Sequence, residues 1–136
     1  MLLRPGSIPH GDGWAFELKW DGFRAIVSTE DGLRVRSRRG WNMSERVPEL
    51  AALPKELVLD GEIVALNDRG APCWPRLCER VLHDNRSIPV TFVVFDVLRV
   101  DGHDVTRNPW SDRRALLEEL GLSRECVRLS EVFDDG

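Results

Sequence analysis

The fold is predicted from the stretch Glu17-Leu18-Lys19-Trp20-Asp21-Gly22-Phe23-Arg24, which follows one strand-like run and includes the start of another. The first run is Trp14 to Phe16 and the second is Phe23 to Val27, and the Asp21-Gly22 pair between them is a turn signal. The pattern predicts a β-hairpin that would hold Lys19 on a rigid element beside a tight turn.

A lysine in such a position has two interpretations. Its ordinary pKa is about 10.4, so the amine stays protonated at neutral pH unless burial or a nearby cation lowers that pKa. Once neutral, a lysine amine can act as a nucleophile and form a covalent intermediate. The alternative is a solvated lysine beside a turn, and the stretch alone does not decide between the two.

Composition places the 136-residue chain among soluble globular domains, with 42% hydrophobic and 31% charged residues. No apolar run is long enough to span a membrane, and the N-terminal residues lack the apolar core of a signal peptide, so we expect a cytoplasmic protein with no membrane partner. The three cysteines are irregularly spaced, which predicts reduced thiols and no zinc site. The net charge is −4, yet arginines crowd residues 34–46, so a local basic surface is compatible with an acidic chain.

A second hairpin is predicted, with strands Phe23 to Thr29 and Leu33 to Ser37. The two-residue period of a strand puts Arg34, Arg36 and Arg38 on one face. A row of arginines suits the phosphates of a nucleic-acid backbone, and an ordinary solvent-facing strand surface explains the row equally well.

Acidic residues also interrupt a strongly apolar strand signal that runs from Glu56 to Leu66. Asp60-Gly61-Glu62 lies in its middle, and buried carboxylates are costly unless they are paired or liganded. One interpretation is a plain Asp-Gly hairpin turn. Because Ile63 to Leu66 continues the apolar run, we favour a strand with a carboxylate directed into a site. Asp96, inside the run Pro89 to Leu98, is another acid of this kind.

Helices are predicted at Trp74 to His83 and from Asn108, as N-cap, to Gly121. Pro109 would occupy the first helical position of the latter helix. Val47 to Leu53 could form a third, short helix. With the hairpins, these elements predict an α+β domain that is rich in antiparallel β-structure and has two or three helices.

Four pieces of the sequence, in this order, resemble the nucleotidyltransferase (adenylation) domain of ATP-dependent DNA ligases, and bacterial end-joining ligase domains most of all. They are Lys19 to Arg24, Ser37 to Gly40, Asp60 to Glu62 and Phe95-Asp96. The resemblance extends over essentially the whole chain. It implies the antiparallel β-rich, ATP-grasp-like fold of that family, with residues 1–136 as the N-terminal part of a domain that is truncated relative to the family.

The resemblance also implies a chemistry. In that family the motif lysine attacks the α-phosphorus of ATP and expels pyrophosphate, which leaves a lysyl-AMP phosphoramidate. The AMP then passes to the 5′-phosphate at a DNA nick, and the 3′-hydroxyl displaces it to seal the strand. By resemblance Lys19 is the nucleophile, Glu17 contacts the adenine edge and Phe95 stacks on the base. Arg24 and Glu62 match the residues that hold the ribose and the reacting phosphate region.

The implied cofactors are ATP and Mg²⁺, and the implied partner is nicked double-stranded DNA. Arg38 matches the arginine that grips the nick phosphate, which favours Arg34 and Arg36 as parts of the same DNA-facing surface. Asp21 and Glu62 are also candidates to hold Mg²⁺ through water, because this ion keeps much of its hydration shell.

The sequence lacks several motifs that belong to the family pattern. The family also carries a glutamate motif for metal, a motif with two lysines and an OB-fold domain, whereas the only lysines here are Lys19 and Lys55. Phosphoryl transfer depends on positioning and charge neutralisation. We therefore expect the isolated chain not to seal nicks and to form little lysyl-AMP.

Several interpretations follow from this departure. The chain is a front half of an adenylation domain, or one piece of a split ligase completed by a complementary polypeptide. Alternatively it is a ligase-like protein that binds nucleotide or DNA without turnover. An RNA-capping or RNA-ligase enzyme shares the lysine motif, but the context of Trp20 and Phe23 disfavours it. Strands missing from the sheet would also leave an edge through which a homodimer could form.

Overall fold

A computed structural model describes residues 5–134 of the chain. The strands are β1 (Phe16–Glu17), β2 (Phe23–Ser28), β3 (Arg34–Ser37), β4 (Leu57–Val64), β5 (Thr91–Val100), β6 (His103–Asp104), β7 (Val127–Leu129) and β8 (Val132–Phe133). Six of them form one sheet in the order β3-β2-β4-β5-β6, with β7 beside β5, and β1 and β8 form a separate pair. Neighbouring strands are antiparallel except β5 and β7, which run parallel.

Two α-helices pack with the sheet, α1 (Trp74–Val81) and α2 (Trp110–Glu119). The apolar side chains of β2, β4 and β5 that face the interior are almost fully buried: Ala25, Val27, Leu59, Ile63, Phe92 and Val97. Leu77 of α1 and Leu117 of α2 join the same core. The predicted α+β class with two helices is confirmed, and the fold is that of the predicted antiparallel β-rich domain. Neither helix in residues 5–134 is both long and apolar enough to cross a lipid bilayer.

The first predicted hairpin is wrong. Strand β1 pairs with β8, with Phe16 opposite Phe133, and it does not pair with β2. Gly22 makes no turn between them. A Cβ at Gly22 would lie 2.1 Å from the backbone oxygen of Ile63, so the glycine lets β2 approach β4 closely. The glycine of the Asp21-Gly22 pair is therefore required by a close backbone contact and not by the predicted turn.

The second hairpin and the uninterrupted β4 are confirmed. Strands β2 and β3 pair with Val27 opposite Val35, and Gly32 adopts a φ of +76° in the turn between them. Gly61 stays within β4, where an added Cβ would lie 2.5 Å from the ring of Phe92 and 2.4 Å from the carbonyl oxygen of Val93. The glycine between the two acids is needed for packing.

Three smaller expectations change. Residues 47–53 contain one short helix, Pro48–Ala52, which is a 3₁₀ helix, and a further 3₁₀ helix, Ser44–Arg46, precedes it. Helix α1 ends at Val81. Helix α2 begins at Trp110 without a side-chain cap, since Pro109 keeps an extended ψ of 149° and takes the N-cap position predicted for Asn108. The predicted lead-in and terminal loop include residues 1–4 and 135–136, which lie outside the described residues.

Candidate active site

The strand register places several predicted site residues on one face of the sheet. Residues directly opposite each other in an antiparallel pair point to the same face, and side chains alternate along each strand. Arg24 lies opposite Glu62, while Ile26 lies opposite both Asp60 and Arg36. These side chains therefore share the face that is turned away from the buried core, which we call the site face.

The arginine row extends the site face onto β3. Arg34 and Arg36 alternate with the buried Val35, and Arg38 follows in the turn after the strand. All three arginines are exposed. Arg34 Nη2 lies 3.1 Å from Asp31 Oδ2 between two exposed side chains. Surface ion pairs of this kind hold a side chain only weakly, so the row stays available to an anion.

The buried acid of β4 is paired. Arg24 donates to both carboxylate oxygens of Asp60, with Nε to Oδ1 at 3.1 Å and Nη2 to Oδ2 at 2.7 Å. This two-point contact compensates the desolvation of Asp60, whose side chain is only 9% exposed. The hydrogen bond with Asp60 raises the pKa of Arg24. The same guanidinium lies over the ring of Phe95, with Cζ 5.4 Å from the ring centroid.

The acid of β5 has its own arginine, which sequence analysis did not identify. Arg113 of α2 donates to Asp96 from Nε at 2.8 Å and from Nη2 at 2.9 Å. Nothing in the helix pattern distinguishes Arg113 from the adjacent Arg114. The only sequence signal was indirect, since a carboxylate inside an apolar strand requires a partner.

Glu62 connects β4 to the lysine segment. Its Oε1 accepts a hydrogen bond from the backbone amide of Gly22 at 3.1 Å. Desolvation raises the pKa of Glu62, while the Gly22 amide, Arg24 and Lys19 oppose that rise. The carboxylate therefore lies within electrostatic reach of both Lys19 and Arg24.

Lys19 is exposed and ion-paired. Its Nζ lies 2.6 Å from Asp21 Oδ1, and the two side chains are 67% and 74% exposed. The hydrogen bond with Asp21 raises the pKa of Lys19, and the charge of Glu62 acts in the same direction. The amine is protonated in this arrangement, whereas a nucleophile must be neutral.

Glu17 approaches the site from β1. Its residue is largely exposed, yet enough protein surrounds the carboxyl that desolvation raises its pKa, which Ser130 and Arg114 oppose and Asp96 reinforces. Within the described residues, Arg114 Nη1 is buried without a hydrogen-bond partner. Strand β1 thus brings the carboxyl of Glu17 within electrostatic reach of Arg114 and Asp96.

The predicted metal ligands, Asp21 and Glu62, are not part of a larger cluster of ligating side chains in the described residues. Within residues 5–134 no group of three or more His, Cys, Asp or Glu side chains could hold a metal ion. Asp21 and Glu62 are close enough for their charges to interact. Two carboxylates suit Mg²⁺ only as outer partners of an ion that keeps its waters and binds substrate phosphates.

Comparison with known proteins identifies the family. Residues 8–133 match the ATP dependent DNA ligase domain family. The multifunctional non-homologous end joining protein LigD of Mycolicibacterium smegmatis is 41% identical over 144 aligned positions, which cover 100% of this chain and 18% of that protein.

Solved structures agree with this match. The ligase domain of Mycobacterium tuberculosis LigD superposes with a TM-score of 0.75 at 34% identity, over 88% of this chain and 40% of that one. A mycobacterial DNA ligase D complexed with ATP and MES superposes with a TM-score of 0.71 at 32% identity, over 87% of this chain and 39% of that one. The chain thus spans well under half of these ligase domains. It belongs to the ATP-dependent DNA ligase domain family.

Proposed function

We propose that this chain supplies the nucleophile and part of the ATP-binding face of an ATP-dependent DNA ligase that seals nicks in DNA repair. The observation that supports this most directly is the shared site face. Arg24, Glu62 and Phe95 lie together on it, and the Gly22–Glu62 hydrogen bond joins it to the segment of Lys19. Family membership and a relative that binds ATP support the same function.

In the proposed reaction, the neutral amine of Lys19 attacks the α-phosphorus of ATP. A phosphorus–nitrogen bond forms, the bond to the bridging oxygen breaks, pyrophosphate leaves with the electron pair, and the nitrogen releases one proton to solvent. Phe95 offers a ring face to adenine and Glu17 an acceptor for its amino edge. Arg24 and Glu62 hold the ribose and the phosphate region. Mg²⁺, held through water by Asp21 and Glu62, would neutralise phosphate charge.

The proposed DNA-binding surface is the arginine row. Arg34, Arg36 and Arg38 are exposed at the edge strand of the sheet, on or next to the site face. Guanidinium groups suit phosphates, and such contacts position nucleic acid without reading its sequence. The proposed partner is nicked double-stranded DNA, whose 5′-phosphate Arg38 would hold.

Turnover is proposed to need residues beyond this chain. Residues 1–136 contain two lysines, and Lys55 lies just before β4, so the paired lysines that the family places at the nucleotide phosphates are proposed to come from elsewhere. A complementary polypeptide carrying the missing motifs is one source. The isolated chain, incubated with α-labelled ATP and Mg²⁺, is expected to show no stable label on a denaturing gel and no sealing of nicked DNA.

A chimera tests the proposal directly. Residues 1–136 replace the matching segment in the ligase domain of the Mycolicibacterium smegmatis relative. The chimera is expected to carry label from α-labelled ATP, and Lys19→Ala is expected to abolish it. A folded chimera without label, or label that survives Lys19→Ala, would contradict the assignment of the nucleophile.

A second candidate is a ligase-like protein that binds ATP or DNA without turnover. The exposed ion pair between Lys19 and Asp21 favours it, because the pair keeps the amine protonated. It predicts measurable ATP or DNA affinity for the chain together with an unlabelled chimera. The two outcomes of the chimera experiment therefore separate the candidates.

A further inference from the structure

Two carboxylates face each other across the middle of the site face. Asp60 of β4 lies directly opposite Asp96 of β5. Like charges in this relation destabilise a sheet. Each is neutralised by a separate arginine through a two-point contact, Asp60 by Arg24 and Asp96 by Arg113. The arrangement is stable only while both guanidinium groups stay with their own carboxylates.

A β-bulge explains why Phe95 belongs to the same arrangement. Side chains of consecutive strand residues normally point to opposite faces. Here the register shifts so that Asp60 pairs with Asp96 while Gly61 pairs with Val94, which leaves Phe95 as the extra residue of β5. The Phe95 ring lies under Arg24, and Asp96 is directly opposite Asp60 in the strand register, so both consecutive residues lie at the site face.

Helix α2 fixes the position of Arg113. Arg113 and Leu117 are one turn apart on the same side of the helix, and Leu117 is fully buried in the core. Arg113 Nη1 also donates to the carbonyl oxygen of Asn108 at 2.6 Å, and its side chain is only 16% exposed. The guanidinium that neutralises Asp96 is therefore held by the packing of α2 on β5.

We propose that Arg113 is a positioning residue: by neutralising Asp96 it prevents that carboxylate from competing for Arg24, and so keeps Arg24 over Phe95. The importance of Arg113 for nucleotide binding rests on the proposed base-binding role of Phe95. The charge of Asp96 already acts on Arg24. Without Arg113, Asp96 would draw Arg24 away from Asp60 and from the Phe95 ring.

The first test needs no ligand. The chain has five phenylalanines, so protein labelled with 4-fluorophenylalanine gives five ¹⁹F signals, and Phe95→Leu assigns one of them. Arg113→Gln is expected to shift or broaden the Phe95 signal. The matched control is Arg99→Gln, which removes another arginine–carboxylate pair from β5, with Glu30 at 2.8 Å. An unchanged Phe95 signal in folded Arg113→Gln would overturn the proposal.

A double variant separates charge from structure. Asp96→Asn combined with Arg113→Gln removes the unbalanced charge and keeps a side-chain oxygen for the backbone amide of Val97, which now donates to Asp96 Oδ1 at 2.9 Å. It is expected to restore the wild-type Phe95 signal. If Arg113→Gln alone does not fold, the double variant still decides: a folded double variant with a displaced Phe95 signal would contradict the proposal.

The second test measures nucleotide affinity. Arg113→Gln is expected to weaken ATP binding about tenfold, because a small displacement of a positioning group is costly, whereas Arg99→Gln is expected to leave ATP binding unchanged. The double variant should recover the ATP affinity. An equal loss of ATP affinity in Arg113→Gln and Arg99→Gln would mean a general structural role and would contradict the proposal. If the unsubstituted chain binds no ATP, the proposed base site fails, while the fluorine signals still decide the role of Arg113.

Discussion

The carboxylate of Glu62 accepts a hydrogen bond from the backbone amide of Gly22, with Oε1 3.1 Å from the nitrogen, although the two residues are 40 positions apart in sequence. Gly22 is three residues after Lys19, so a side chain on β4 fixes the start of β2 and the segment that carries the proposed nucleophile. The same carboxylate lies beside Arg24, directly across from it in the sheet. Glu62 thus links the lysine segment to the site face.

Replacing Glu62 should change how stability depends on pH. Desolvation raises the pKa of Glu62 in the folded protein above the ordinary 4.5, so between these two pKa values the folded state keeps a proton that the unfolded state has lost. The free energy of unfolding of the wild type, relative to Glu62→Gln, should therefore fall as pH rises through 4.5 toward the folded pKa. Below and above that pH range, the stability of the wild type relative to Glu62→Gln should not depend on pH. Urea titrations at several pH values measure the free energy of unfolding of both proteins. If the stability of the wild type relative to Glu62→Gln rises with pH, the raised pKa of Glu62 is contradicted.

Removing the charge of Asp21 should lower the pKa of Lys19. The hydrogen bond with Asp21 is the main cause of the raised pKa, so Asp21→Asn should move the pKa of Lys19 down. Reductive ¹³C-methylation followed by NMR titration reports only two lysine side chains, Lys19 and Lys55. Lys55 serves as the internal control and should not change. A Lys19 signal that titrates identically in both proteins would show that the ion pair is absent in solution.

The close contact at Gly22 should not tolerate a side chain. Gly22→Ala would place a Cβ 2.1 Å from the carbonyl oxygen of Ile63, which forces β2 and β4 apart. We expect a loss of about 2 kcal/mol or more in the free energy of unfolding. Gly6→Ala is the matched control, since no atom lies within 4 Å of its added Cβ. Equal stability of the two variants would refute the close approach.

If DNA binds to the arginine row, removing one of its arginines should make the affinity for DNA less dependent on salt concentration. Arg36→Gln should reduce the slope of log affinity for nicked duplex against log salt by about one unit, the value expected for one lost phosphate contact. Arg107→Gln, which removes an exposed arginine outside β3, should leave that slope unchanged. Fluorescence anisotropy at several salt concentrations provides both slopes. Identical slopes for wild type and Arg36→Gln would remove Arg36 from the proposed surface.

Local pattern predicted the parts of the site that lie on regular strands. Alternation along β3 was enough to group Arg34 with Arg36 on one face, because strand geometry leaves no other arrangement. The cost of burying a carboxylate was enough to mark Asp60 and Asp96 as residues that need partners. Which partners they have depends on register and helix packing.

The remaining parts depend on long-range contacts that a local pattern does not contain. Asp21-Gly22 has the composition of a turn, and only the approach of Ile63 explains the glycine. The pairing of β1 with β8 joins residues more than a hundred positions apart. Arg113 was missed for the same reason, since its role is set by a bulge in β5 and by the packing of α2.

The central claim is that Lys19 becomes the AMP-bearing residue when the rest of a ligase domain surrounds this site face. The most direct measurement is the labelling of the chimera with α-labelled ATP and Mg²⁺, followed by peptide mapping of the labelled residue. We expect label on Lys19 in the chimera, none on the isolated chain, and none after Lys19→Ala. A folded chimera that binds ATP and remains unlabelled, or that is labelled on another residue, would contradict it.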